Sequence, residues 1–216
     1  DRDGKETRES VTYLAFNRNK KSVTLDISKP EGQDIVRKLV AQSDVLVENY
    51  KLGVLARYGL AYEDLRKINP RLVYCSITGF GQDGPYSHRA GYDPIFQAMG
   101  GLMSVTGERD GRPGGGPMRV GLPIVDLMTG MHAVSAILAA LYHRDRVSGT
   151  GQYIDAALLD VEIAMLSHLH LNYLVSGKIP QRWGNDNPTL VPYQVLPCKG
   201  GKIMVSVGNE SQFANF

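Results

Sequence analysis

Apolar and polar positions alternate along Ser22-Val23-Thr24-Leu25-Asp26-Ile27, and β-branched residues recur in that run, a pattern that predicts a strand. Pro30 suits the first turn of a helix, and Ile35, Val36, Leu39 and Val40 follow at helical spacing. Asp44-Val45-Leu46-Val47 then predicts a buried strand. Strand, helix and strand within about 30 residues make a βαβ unit, which requires parallel strands and a right-handed crossover. The alternation continues with a short helix over 63–68, stopped by Asn69-Pro70, and a strand over 71–77. That strand runs into the turn-rich Thr78-Gly79-Phe80-Gly81-Gln82-Asp83-Gly84-Pro85.

Farther along, a helix is expected over 94–102 and a glycine- and proline-rich loop over 107–117. Pro123 opens a long helix to about residue 146, with Leu127, Met131, Val134, Leu138 and Leu141 as its apolar stripe. Ser148-Gly149-Thr150-Gly151 ends it. A strand at Tyr153-Ile154-Asp155-Ala156, an amphipathic helix over 158–174 and a loop over 184–192 follow. Residues 193–197 and 203–207 flank Lys199-Gly200-Gly201-Lys202 as a hairpin, and Asn209-Glu210-Ser211-Gln212-Phe213 begins another helix. Strands joined by helices predict an α/β fold, with a boundary into a second region after about Val175.

Composition sharpens this picture by exclusion. With 43% hydrophobic and 21% charged residues among 216, the chain can bury a core without staples, which excludes disorder and disulfide miniproteins. A formal net charge of +2 lacks the footprint of a nucleic-acid coat. Cys75 and Cys198 lie far apart, as expected of reduced cytosolic cysteines. The opening Asp1-Arg2-Asp3-Gly4-Lys5-Glu6 is charged and begins no secretory signal. The apolar stretch 127–142 falls short of the roughly 18 residues of a membrane span, so a cytoplasmic protein with no membrane partner is expected. The chain opens without Met and stops just inside an expected helix, so both ends are expected to be cuts through a larger protein.

Several chemistries lack their usual evidence. No G-x-G-x-x-G follows a strand, and Gly114-Gly115-Gly116 runs into Pro117 and Met118 rather than the Lys-Ser/Thr of a phosphate loop. His168 and His170 lie two apart on an expected helix, hence on different faces, and no metal site is expected. No G-x-S-x-G elbow exists.

Two clusters do carry chemistry. Asp126 sits in the first turn of the long apolar helix, where free N–H groups and the positive dipole end favour an anion. From composition alone an ordinary helix-start residue is the leading reading of that position. Gly130, four residues on and on the same face, implies close approach by a neighbouring backbone or a ligand. Asn17-Arg18-Asn19-Lys20-Lys21 precedes the first expected strand, and Glu48-Asn49-Tyr50-Lys51 with Arg57 follows the second, at the carboxyl ends where open α/β sheets bind ligands. Cations, an amide and an aromatic plane there suit phosphates and a base; a solvated loop is the alternative.

These residues, in order, resemble a known family. Asn17-Arg18-Asn19-Lys20-Lys21-Ser22 with Leu25-Asp26, Val47-Glu48-Asn49-Tyr50, Ser76-Ile77-Thr78-Gly79-Phe80-Gly81 to Gly84-Pro85, Gly91-Tyr92-Asp93, Asp126-Leu127 with Gly130, and Thr150-Gly151-Gln152-Tyr153-Ile154-Asp155 are similar to the class III CoA-transferases. That group includes formyl-CoA transferase, carnitine CoA-transferase and the bile-acid-inducible proteins. The resemblance implies an open Rossmann-like parallel sheet with helices on both faces, plus a smaller α+β domain. Residues 1–175 are then the large CoA-binding domain, incomplete at its N-terminus, and 176–216 a linker and the start of the small domain. It also implies a homodimer whose subunits interlock as rings. The family's opening strand and helix with an Ala-Gly-Pro turn, and its long C-terminal region, have no counterpart in the chain.

The family's nucleophilic aspartate falls on Asp126. Its CoA-contacting positions fall on Leu25 to Ser28, Asn49, Tyr50, Lys51, Arg57, and Ala90, Gly91, Tyr92 and Asp93; at Ala90 some members carry a basic residue. The implied activity moves CoA between an acyl-CoA and a carboxylic acid through an aspartyl anhydride and an aspartyl-CoA thioester. Coenzyme A is then a substrate, and no tightly bound cofactor is expected. Oxyanion donors are sought among the helix-start amides near Asp126 or a glycine-rich loop. Two other readings remain. An α-methylacyl-CoA racemase needs a histidine where Tyr92 stands, and a phenol is a poor base near neutral pH. The other is a non-catalytic acyl-CoA-binding protein.

Overall fold

In the computed structural model, which describes residues 10–216, one sheet holds three strands in the order β1 (Val45–Glu48), β2 (Val73–Thr78), β3 (Tyr153–Ala157). Both pairings are parallel, with Val45 opposite Val73 and Tyr74 opposite Tyr153. The charged opening over residues 1–6 lies outside the described residues.

Helices cover both faces of this sheet. On one face α2 (Pro30–Val40) and α3 (Tyr62–Ile68) bring Val40 and Leu65 onto Leu60, Leu72 and Tyr74. Tyr62, Tyr74 and Tyr153 stack there with ring centroids 5.4 to 5.9 Å apart. On the other face α6 (Ile124–His143) sets Ala133 against Cys75 and Ala156, while Val125 packs with Phe96 and Leu158. Alternation along β2 explains the division: Cys75 points to α6 and its neighbour Tyr74 to the α2 and α3 side.

The expected strand over 22–27 does not form. Asp26 Oδ1 accepts from the Ser28 N–H at 3.0 Å and the Ser28 hydroxyl at 2.6 Å, and Lys29 N–H donates to the Asp26 carbonyl at 3.1 Å. This turn folds the end of the segment onto itself and leads straight into α2, while residues 22–26 join no ladder. The parallel crossovers therefore run from β1 through α3 to β2, and from β2 through α6 to β3.

Two expected helices are each broken in two. The one over 94–102 becomes α4 (Asp93–Met99) and α5 (Leu102–Val105), separated where Gly101 takes φ 107°. The one over 158–174 becomes α7 (Leu158–Met165) and α8 (His168–Ser176). Between them Ser167 takes φ 48°, and the His170 ring reaches back to the Ile163 carbonyl at 2.8 Å, giving the end of α7 a partner.

The long helix continues from α6 through a π turn at Arg144–Ser148 and stops at Gly149. Buried Arg144 pins that turn to the start of the sheet, donating to the Arg71 carbonyl at 3.1 Å and pairing with Asp44 at 3.0 Å. By length and composition alone this 25-residue helix is long enough to cross a membrane, which corrects the estimate made from its apolar stretch. Beyond it, β4 (Tyr193–Cys198) and β5 (Gly201–Ser206) form the expected antiparallel hairpin, and α9 (Glu210–Asn215) follows, capped by the Asn209 side chain at 2.9 Å from the Gln212 N–H. A short α1 (Val11–Phe16) precedes all of these, capped by Ser10.

Candidate active site

The carboxyl ends of β1 and β2 are tied together by a side chain. Asn49 follows β1 and donates its Nδ2–H to the Ile77 carbonyl on β2 at 2.6 Å, while the Tyr50 N–H donates to Glu48 at 2.7 Å. The chain after β1 is thereby held above the sheet, and a cavity of about 140 Å³ opens beside it. Asn49, Tyr50 and Lys51 line one side; Thr78 and Gly79 form its floor at the end of β2; Ser87, His88, Arg89, Ala90 and Gly91 close the other. Two groups of expected binding residues, 49–51 and 90–91, thus meet in one place.

His88 and Arg89 were not among the expected positions. Their only mark in the sequence is a basic pair beside Ala90. The Arg89 guanidinium lies over the Tyr86 ring at 4.1 Å, which holds a cation at the cavity rim. Leu25, Ser28 and Arg57 do not line this cavity: Ser28 is engaged with Asp26, Leu25 is half-buried, and Arg57 lies exposed on a 3₁₀ turn (Ala56–Tyr58). A larger cavity of about 410 Å³ shares the Tyr50-Lys51-Leu52 wall, and Tyr62, Tyr74 and Tyr153 are among its other lining residues.

Asp126 does not line this cavity; its wall meets the helix that carries Asp126 through Phe96, which packs with Val125. A Cβ added to Gly79 or to Gly91 would stand 2.7 Å from the tip of the Phe96 ring, so both positions exclude larger residues and let the two wall segments close on fully buried Phe96. Tyr92 is 85% exposed, whereas Asp93, next in sequence, is 4% exposed. The Asp93 carboxylate points to the start of α6, where its Oδ2 accepts from the Val125 N–H at 2.7 Å and the Asp126 N–H at 3.2 Å. Asp93 is therefore the N-terminal cap of α6, supplied from another helix.

That arrangement corrects one expectation about the oxyanion donors. Ile124 and Leu127 donate to the carbonyls of Leu122 and Pro123, and Val125 and Asp126 donate to Asp93, so the first-turn amides of α6 are already taken. Open space adjoins Gly130, and no backbone approaches it among the described residues. Asp126, its side chain relieved of capping, is exposed. Protein atoms crowding its carboxyl push its pKa up from the ordinary value, and the like charge of Asp93 adds to the effect.

Comparison with known proteins places this geometry. The sequence profile of CoA-transferase family III matches residues 2–216. The chain is 51% identical over 208 residues to a succinate–glutarate CoA-transferase of Agrobacterium fabrum, covering 96% of this chain and 51% of that protein. It is 47% identical to the succinyl-CoA:glutarate CoA-transferase of Homo sapiens, over 95% of this chain and 46% of the other, and 39% identical to an acetyl-CoA:oxalate CoA-transferase of Acetobacter aceti, over 95% and 52%. The fold matches a crystal structure of a CAIB/BAIF family protein from Brucella suis with a TM-score of 0.81 at 48% identity, over 90% of this chain and 50% of that one. The chain spans about half the length of the curated relatives it matches. A profile that runs through the sheet, the cavity wall, Asp126 and the hairpin alike leaves one conclusion: the chain belongs to CoA-transferase family III.

Proposed function

We propose that this chain carries the CoA-binding groove and the nucleophile of an enzyme that moves CoA between a succinyl-type acyl-CoA and a short dicarboxylic acid. The observation that carries the reading is Asp126, freed from capping by Asp93, which lies two residues after the cavity-wall residue Gly91. The relatives named as succinate–glutarate and succinyl-CoA:glutarate transferases support the substrate class. Coenzyme A enters as a substrate, with its phosphates at Lys51 and Arg89, and no cofactor stays bound.

A carboxylate oxygen of Asp126 attacks the thioester carbonyl, the C–S bond breaks, and the CoA thiolate leaves a mixed anhydride. The thiolate then attacks the aspartyl carbonyl, releasing the first acid and leaving an aspartyl-CoA thioester. The second acid's carboxylate displaces the thiolate from that thioester, and the thiolate attacks the new acyl carbon, regenerating Asp126. No proton or water enters any step, so the site must exclude water that would hydrolyse the anhydride.

The working unit in this proposal is a homodimer with interlocked subunits, and residues 176–216 begin its smaller domain. Met131, Val134, Leu138 and Tyr142 leave an apolar stripe of α6 exposed, which suits an intersubunit contact. The racemase reading is weaker, because Tyr92 stands where that chemistry needs a histidine. Hydroxylamine tests the mechanism: incubation with succinyl-CoA should convert Asp126 to its hydroxamate, and Asp126→Asn should lose label and transfer together. Turnover with an unlabelled Asp126 would refute it.

A further inference from the structure

Behind Asp126 stands a polar side chain that the chemistry above does not use. Gln97 on α4 is 0% exposed, and a buried amide has to find its partners inside the protein. Its Oε1 accepts from the Val120 N–H at 2.9 Å. Its Nε2 donates to Asp93 Oδ1 and, at 3.5 Å, to the Leu122 carbonyl. Asp93 passes the restraint on, because its other oxygen accepts from Val125 and Asp126. One side chain thus grips the segment leading into α6 and, through Asp93, the turn that bears Asp126.

We propose that Gln97 is a positioning residue for Asp126, fixing where the nucleophilic carboxylate stands without touching substrate. The proposal rests on the reading of Asp126 as the acylated residue. Volume alone does not account for an amide here: a leucine or methionine fills similar space but leaves the Val120 N–H and one Asp93 oxygen unpaired. The reaction is sensitive to such a loss, since a displacement of about 1 Å at an attacking atom costs on the order of 100-fold in rate.

Glutamate at this position provides a conditional replacement. In the Gln97→Glu variant a protonated carboxyl accepts from Val120 through its carbonyl oxygen and donates its O–H to Asp93, reproducing the amide. Once the proton leaves, two carboxylates face each other. Asp126 of α6 and Glu162 of α7 are further acidic groups acting with Asp93, and the His170 imidazole of α8 acts on Glu162. Gln97→Glu should therefore match the wild type at the acid end of the range and fail as pH rises.

The test uses the protein that carries this chain, with succinyl-CoA as donor, and reads kcat, KM, Asp126 hydroxamate formation and amide exchange. Gln97→Leu should lower kcat and the acylation rate by about 10- to 100-fold at every pH, with KM for the acyl-CoA within about twofold. Gln97→Glu, compared with the wild type on the rising acid limb where Asp126 is partly ionised, should keep a rate ratio near one and lose it as pH rises further, which also guards against a variant that merely misfolds. A raised KM with unchanged kcat, undiminished acylation in Gln97→Leu, or equal failure of both variants at all pH would overturn the proposal. If wild-type Asp126 takes no label, the mechanistic reading fails separately. Amide exchange then still decides whether Gln97 holds this turn: faster exchange at Val120 and Val125 in Gln97→Leu supports the restraint, and unchanged exchange there removes it.

Discussion

Replacing Asp93 by Asn separates the electrostatic and structural parts of the site. Asn keeps the size and one acceptor oxygen but removes the negative charge that receives the Val125 and Asp126 N–H groups at 2.7 and 3.2 Å. Hydrogen bonds to charged groups contribute about 1.5–3 kcal/mol and neutral ones about 0.5–1.5, so weakening two of them costs about 2–3 kcal/mol. For a chain of this size that lowers Tm by roughly 4–12 °C. The catalytic effect runs in the opposite sense along the pH axis. Asp126 must be ionised to attack, and its pKa is raised, first by crowding and second by Asp93. Activity should thus appear only as pH rises through that raised value, and removing the Asp93 charge should move this acid limb to lower pH. Hydroxamate formation at Asp126, followed from about pH 4 to 8 in wild type and Asp93→Asn, measures the limb, while thermal unfolding measures the cap. An acid limb that stays in place or moves upward, in a protein with the predicted loss of stability, would refute the electrostatic account.

Arg89→Ala should weaken CoA binding by about 1.5–3 kcal/mol, roughly 10- to 150-fold, because a guanidinium at the cavity rim meets phosphate by charge-assisted contact. Calorimetry with CoA checks this, with Arg57→Ala on the exposed turn as the comparison: a larger loss there than at Arg89 would move the phosphate site. The exposed α6 stripe predicts a dimer at micromolar concentration, and Leu138→Glu should dissociate it; sedimentation of the wild type as a stable folded monomer would remove that proposal.

Much of the fold was legible from periodicity, and the exceptions have local causes. The strands at Val45 and Val73, the long helix after Pro123 and the hairpin around Gly200 all stand where the pattern predicted them, since each combines a clear period with a marked end. Residues 22–27 misled because alternation describes one strand and says nothing of a partner, while Asp26 supplies a competing turn. The break at Ser167 is invisible to an apolar count that runs unbroken through Leu166 and Leu169. In the candidate site, Asn49 was singled out by its place after a strand and Gly91 by resemblance, but their convergence on one cavity needs the third dimension. So does the role of Asp93, whose partners are 32 and 33 residues away.

That distant cap leaves the Asp126 carboxylate free for the proposed role of nucleophile although it stands at a helix start. A carboxylate that caps its own helix is committed to backbone amides; each such bond stabilises the anion, lowers its pKa and weakens it as an attacking group. Here the division of labour runs between two acids. Asp93 takes the amides and the stabilising role, while Asp126 keeps the dipole's orientation without its hydrogen bonds and carries a raised pKa. The raised pKa has a thermodynamic sign: a carboxyl whose folded pKa exceeds its unfolded one favours the fold below the unfolded value and loses that contribution as pH rises through the folded one. Ionised Asp126 therefore works against stability at neutral pH, and Asp126→Asn should be at least as stable as the wild type there.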